Sequence, residues 1–361
     1  MKETFTLKRD HLKSLLRKLA KDYRIIAPYR NRHGDTFFTE VLEVESFPLD
    51  LDNQPQNSIK EFLFPQQETL FHYRVDETGG YQFIPQEEPS RPTIFFGVRS
   101  CDLTAILYLD VTFLGKKHKD PHYHARRNRA VIVGLNCNQP FEKCFCNATK
   151  NGPFHQDFGP DLQLTSLDRE RYYVESRQAN GHAIIAGWQQ FFTPAEEKDA
   201  HAQYQLFLEA RGGFRRQVHV DQVIKHLQGQ EGVSEAIWED LSKRCQDCAG
   251  CAYICPTCTC FTIADRPLSA SSGERVRTWD ACTFSGFTRM AGGHNPVNRD
   301  TQAIRQRFLH KLLYDVNTHG RPSCVGCGRC VDICFGGTDI VRFLDLAGKE
   351  ESSSPGRFIT R

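Results

Sequence analysis

The chain has 361 residues, 39% of them hydrophobic, enough for a sizeable core and most simply for two domains. Its 46 basic and 44 acidic residues leave a net charge of +2, so no overall field directs it to nucleic acid or to an anionic membrane. No stretch reaches the roughly 18 consecutive apolar residues of a membrane span and no signal-peptide core opens the sequence, which makes the cytoplasm the expected compartment.

Leu12, Leu15, Leu16 and Leu19 recur at helical spacing among Lys and Arg and predict an amphipathic helix near residues 9–21. The first 90 residues otherwise carry little visible chemistry. Thr93-Ile94-Phe95-Phe96-Gly97-Val98 is a continuous apolar run of the kind buried in a parallel sheet, and Cys101 follows it. Asp102 is placed to cap a helix through Leu103, Ile106, Leu107 and Tyr108. A second run, Ala130 to Leu135, ends just before Cys137. Two parallel strands joined by a crossover would put Cys101 and Cys137 on one sheet edge. With Cys144 and Cys146 on the next loop, four thiols could hold a [4Fe–4S] cubane. The alternatives are zinc on the same four thiolates, or Cys101 as a small buried hydrophobe with the other three cysteines in a zinc site or free.

Residues 156–230 show no motif, and Trp188, Phe191 and Phe192 read as core or as a partner surface. A helix containing Val233, Ile237 and Leu241 then leads into the cysteine-rich region. The expected organisation is α+β: an N-terminal mixed α/β domain over 1–225, followed by an α-helical ferredoxin-like two-cluster domain over 226–361.

There the spacing becomes specific. Cys245-x2-Cys248-x2-Cys251-x3-Cys255-Pro256 is a bacterial ferredoxin run, and Cys324-x2-Cys327-x2-Cys330-x3-Cys334 repeats it with Phe335 in place of the proline. A thiolate at every third residue wraps three corners of a cubane, while the fourth cysteine of each run serves the other cluster. The expected sets are therefore crossed: Cys245, Cys248, Cys251 and Cys334 for one cluster, and Cys324, Cys327, Cys330 and Cys255 for the second. Zinc knuckles would leave thiolates of each run unused. Gly250, Gly326 and Gly328 would let the backbone approach inorganic sulfur. Helices are expected to fill the segment between the runs. Ala303, Ile304, Phe308, Leu309, Leu312, Leu313 and Val316 mark one of them, with Arg305, Arg307, His310 and Lys311 as its solvated face and Gly320 and Pro322 as its stop.

Cys258, Cys260 and Cys282 exceed the needs of two clusters. They are open to three readings: inert packing beside the clusters, ligation of a further cluster, or redox-active thiols.

Several segments resemble the iron–sulfur beta subunit of cytoplasmic sulfhydrogenases, which are NADP-linked nickel–iron hydrogenases, and the related A subunit of anaerobic sulfite reductase. They are Gly97-Val98-Arg99-Ser100-Cys101-Asp102-Leu103, Cys144-Phe145-Cys146, Cys255-Pro256-Thr257-Cys258-Thr259-Cys260-Phe261, Trp279-Asp280-Ala281-Cys282 and Cys324-Val325-Gly326-Cys327-Gly328-Arg329-Cys330. Ser100 and Phe335 depart from the family pattern. The resemblance implies an electron conduit between a flavin- and NAD(P)-binding subunit and a catalytic subunit of hydrogenase or sulfite reductase type. In keeping with that, the chain has no G-x-G-x-x-G turn, no phosphate-binding G-x-x-x-x-G-K-[ST] loop and no nickel-type pair of Cys-x2-Cys motifs. The reading from another class is a catalytic subunit that reduces a sulfur substrate, polysulfide or a disulfide, with Cys258, Cys260 and Cys282.

Overall fold

The computed structural model describes residues 3–88, 90–115, 117–155, 159–229 and 232–353; the end of the expected second domain, 354–361, lies outside them. The chain divides into two compact units that are discontinuous in sequence. Residues 1–141, 152–213 and 261–279 form the first, and 142–151, 214–260 and 280–361 the second. The reading from sequence drew a single cut near residue 225.

The first unit is mixed α/β. Its strands are β1 (Glu3–Lys8), β2 (Arg24–Arg30), β3 (Thr36–Glu40), β4 (Gln67–Val75), β5 (Tyr81–Pro85), β6 (Thr93–Val98), β7 (Ala130–Leu135), β8 (Leu162–Ser166), β9 (Arg171–Ser176), β10 (Phe192–Pro194), β11 (Phe261–Ser269) and β12 (Ser272–Trp279). Eight of them make one sheet in the order β10-β1-β9-β8-β7-β6-β2-β3, parallel at its centre from β2 through β6 and β7 to β8. The two apolar runs are those central strands: β7 is buried throughout and β6 from Ile94 onward, as strands covered on both faces must be. The helix Arg9–Leu19 buries Leu12, Leu15, Leu16 and Leu19 in the same core as Ile25, Ile94 and Val131. Each such leucine contributes about 1.5–3 kcal/mol by leaving water. Phe192 is buried, with Trp188 and Phe191 packed partly against that core.

The helix after β6 runs Ser100–Phe113, one turn earlier than Asp102 suggested, and Arg99 at its N-cap position makes no side-chain capping hydrogen bond. Asp102 lies inside the first turn, fully buried, where its carboxylate accepts the Ser58 hydroxyl proton at 2.8 Å.

The segment between the two cysteine runs corrects the expectation of helices throughout. Its first part is the hairpin β11–β12, which joins β4 and β5 in a second, antiparallel sheet of order β11-β12-β4-β5. Every residue of β11 is exposed, and the alternation begun by Phe261 and Ile263 breaks at Asp265-Arg266-Pro267, so no sustained apolar periodicity betrays it.

The named elements of the second unit are helices: Val220–Gln228, Glu235–Arg244, Gly250–Tyr253, Asp300–Leu309, Arg329–Ile333 and Ile340–Ser353. The Asp300–Leu309 helix continues through a π turn, His310–Tyr314, into Asp315–His319, and stops at Gly320 in the left-handed conformation. Trp238, Phe308 and Phe343 stack at its core, with centroids 4.8 and 5.0 Å apart.

Candidate metal centres

Each four-cysteine run folds in the same way. Three thiols ride a loop that enters a short helix, Gly250–Tyr253 in the first run and Arg329–Ile333 in the second, and the fourth cysteine follows that helix. The third and fifth residues of each run take positive φ: Asp247 at 48° and Ala249 at 54°, Gly326 at 65° and Gly328 at 78°. Gly250, which the glycine pattern singles out, is instead helical. Glycine at 326 and 328 answers a closer constraint. A Cβ at 326 would lie 2.7 Å from the backbone of Phe145 and Cys146, and one at 328 would lie 2.5 Å from the Lys143 carbonyl. Residues 143–146 thus lie directly on the second run, tied there by Phe145 N–H donating to the Gly326 carbonyl at 2.8 Å.

Two cavities in the second unit are lined by cysteines from both runs. Cys245, Cys248, Cys251 and Cys334 surround one. Cys255, Cys324, Cys327 and Cys330 surround the other, together with Phe145. Arg307 lines both cavities and Lys311 the second. These two cations, expected on a solvated face, are instead 3% and 4% exposed, because the helix turns that face toward the thiols. The Arg307 guanidinium donates to the Cys258 sulfur at 3.7 Å and to the Cys251 carbonyl at 2.9 Å, and Lys311 donates to the Thr257 hydroxyl at 3.0 Å. Among the described residues neither has a carboxylate partner. Burial works against both charges, but the cysteine sulfurs around them, Cys251, Cys258, Cys330 and Cys255 for Arg307 and Cys255, Cys258 and Cys324 for Lys311, favour the charged forms and hold them protonated.

The thiols respond to the same surroundings. Burial pushes Cys251, Cys324 and Cys330 up and Cys245 to about 11, whereas Cys255 is held well below the ordinary thiol range by the Cys258 thiol first, then by Lys311 and Arg307. Buried cations without carboxylates, facing four thiols on each side, fit a polyanionic thiolate-bound group. A single zinc ion with bonds of about 2.3 Å would draw its thiolates to within about 4 Å of one another. Among the described residues no three of these eight cysteines meet within 4.8 Å; the one trio of potential ligands that does is Glu68, Glu88 and His122 in the first unit. Sequence reasoning did not find that trio, and Arg126 already bonds both of its carboxylates, at 2.8 and 2.6 Å.

The remaining thiols fall into two groups. Cys101 opens the helix after β6 and Cys137 follows β7, its parallel neighbour, so both leave the same end of the first unit's sheet. Arg99 donates to the Cys137 sulfur at 3.8 Å, and Ser100 to the Pro153 carbonyl at 3.0 Å. Cys144 and Cys146 belong to the second unit, on the segment that packs over Gly326 and Gly328. Cys258, Cys260 and Cys282 gather where the chain leaves for the hairpin and returns from it. Asp280 N–H donates to the Cys260 carbonyl at 2.9 Å. The Cys282 thiol donates to Cys260, which is thereby held down at about 7, while Cys282 itself is pushed far up.

No helix among the described residues is long and apolar enough to cross a membrane. Residues 244–338 match the family of 4Fe-4S dicluster domains. The chain is 28% identical over 338 residues to Sulfhydrogenase 2 subunit beta of Pyrococcus furiosus, covering 93% of this chain and 96% of that protein. The chain therefore carries a 4Fe-4S dicluster domain within a sequence similar, along nearly its whole length, to a sulfhydrogenase beta subunit.

Proposed function

We propose that this protein is an electron-transfer iron–sulfur subunit of a cytoplasmic oxidoreductase complex, relaying single electrons between a flavin- and NAD(P)-binding subunit and a catalytic subunit of hydrogenase or sulfite reductase type. The observation that carries the reading is the pair of four-thiol cavities with the buried Arg307 lining both. When bound, a [4Fe–4S] cubane takes up or releases one electron with little change of geometry. Cys245, Cys248, Cys251 and Cys334 would hold one cluster, and Cys255, Cys324, Cys327 and Cys330 the other. Arg307 and Lys311 supply positive charge that favours their reduced, more negative state. Phe145, 1% exposed, keeps water from the second site.

The test is anaerobic iron and acid-labile sulfide analysis of the purified chain. About eight irons are expected for two cubanes and about twelve if the thiols outside the crossed sets hold a third. Cys251→Ser should remove about four. A chain that binds zinc in preference to iron, or holds fewer than about four irons, overturns the reading.

A second reading, reduction of a sulfur substrate at Cys258, Cys260 and Cys282, draws on the hydrogen-bonded Cys260 and Cys282 thiols. Loss of turnover with polysulfide in Cys282→Ala, with iron content and electron flow to an artificial acceptor intact, would favour it over a pure conduit.

A further inference from the structure

The two ligand sets differ in their access to solvent. In the second set Cys255, Cys324 and Cys327 are buried and Cys330 partly so, whereas in the first Cys248 is exposed and Cys245, Cys251 and Cys334 are partly so. Around Cys248 the surface is apolar: Phe335 is 79% exposed and Ile333 41%. Both line the same cavity as Cys248 and Cys334, and a Cβ at Gly250 would touch Ile333 at 3.5 Å and the Cys248 sulfur at 3.7 Å, so the isoleucine and the thiol flank one backbone position. An exposed phenylalanine beside a half-open thiol set is a costly feature for an isolated chain, since it keeps a large apolar ring in water. It is also the second run's departure from proline, which ligation does not explain.

Resting on the reading of the two sets as cluster ligands, we infer that the surface formed by Phe335, Ile333 and Cys248 is the electron port of this protein. The docking site takes a partner that carries its own one-electron cofactor at its surface. The chemistry of the patch argues for that occupant. Electron exchange between proteins falls steeply with the distance between cofactors, and this is where a ligand thiol of either set comes to the surface. Arg244, which lines the same cavity, is paired with Asp240 at 3.7 Å, so the contact offered by Phe335 and Ile333 is apolar and steering by charge is weak. The buried set is then the inner station, and the exposed set the one that meets the partner.

The experiment uses the full chain reconstituted anaerobically, with a reduced bacterial two-cluster ferredoxin as protein donor and dithionite as small-molecule donor, followed by stopped-flow absorbance. Phe335→Asp should slow reduction by the ferredoxin about tenfold, with iron content and reduction by dithionite unchanged. The rate should change little between low and high salt. Tyr81→Asp, at another exposed aromatic in the first unit, should leave the rate as it is. If Phe335→Asp loses iron, Phe335→Ser with its iron intact gives the same comparison. A dysprosium chelate in solution should also speed the EPR relaxation of the cluster lost in Cys251→Ser more than that of the other. Equal enhancement at both clusters, an unchanged ferredoxin rate in the iron-replete variants, or no reaction of the iron-replete wild type with ferredoxin overturns the port. A wild-type chain that assembles no clusters overturns instead the functional reading on which it rests.

Discussion

The two four-cysteine runs pass through the same left-handed backbone positions with different residues, Asp247 and Ala249 in the first and Gly326 and Gly328 in the second. The turn itself therefore does not demand glycine, although a non-glycine residue pays about 1–2 kcal/mol to adopt it. What differs is the neighbour. Residues 143–146 lie against the second run so closely that a Cβ would strike their backbone, and three of the second set's four thiols are correspondingly buried, against none of the first's. The first run has Cys248 at the surface and accepts side chains. Glycine here marks packing more than conformation, and the packing decides which cluster site is sealed from water.

The largest effect expected from that difference is at Gly328. Gly328→Ala should cost about 3 kcal/mol or more, the sum of left-handed strain and a displaced Lys143 carbonyl, and should release iron from the second site first. The mirror change, Ala249→Gly, relieves left-handed strain but removes a methyl group buried against Ala252 and Ala281, so the two effects should nearly cancel, to within about 1 kcal/mol. Thermal melting with iron analysis on both variants checks the pair. If alanine is tolerated at 328 as it is at 249, the packing explanation fails.

A smaller effect separates the two sites electrically. Arg307→Met removes a buried positive charge lining both cavities and so disfavours the reduced state of each cluster; both potentials should fall. A unit charge about 8–12 Å away at an effective dielectric near 20 is worth about 1.4–2 kcal/mol, or about 60–90 mV for one electron. The buried site should show the full shift and the exposed one a smaller shift, because solvent screens it. EPR-monitored redox titration reads both, and a larger shift at the exposed site would contradict the assignment of inner and outer stations.

Much of this arrangement is legible in the residues, for identifiable reasons. Ligand spacing is local, so the crossed thiol sets could be drawn from the motifs alone, and β6 and β7 stand out because strands buried on both faces are continuous apolar runs. The matching left-handed positions were also within reach, since Asp247 and Ala249 align with Gly326 and Gly328 when the runs are superposed by their cysteines. The hairpin was not legible: β12 pairs with β4, some 200 residues earlier, and β11 is exposed along its whole length. Nor was the burial of Arg307 and Lys311. A basic residue on an amphipathic helix reads as solvated unless its counter-charge is known, and here that counter-charge is a set of thiolates from elsewhere in the chain.

The smallest expected effect concerns the thiols beside the buried site. Cys260 accepts a hydrogen bond from the Cys282 thiol, which favours the thiolate against the opposing effect of burial and holds Cys260 at about 7. A lowered thiol titrates early: the thiolate, and with it the rate of alkylation by iodoacetamide, should rise as pH increases through about 7 and level off above it. Cys282→Ala removes the donor, so the midpoint should climb toward the ordinary thiol value of about 8.5 and alkylation at pH 7 should slow about tenfold. Peptide mass spectrometry of the iron-replete chain across pH 5.5 to about 9.5 makes the measurement. An unshifted midpoint in Cys282→Ala would separate the two thiols, and would leave Cys260 as a packing residue and not half of a working pair.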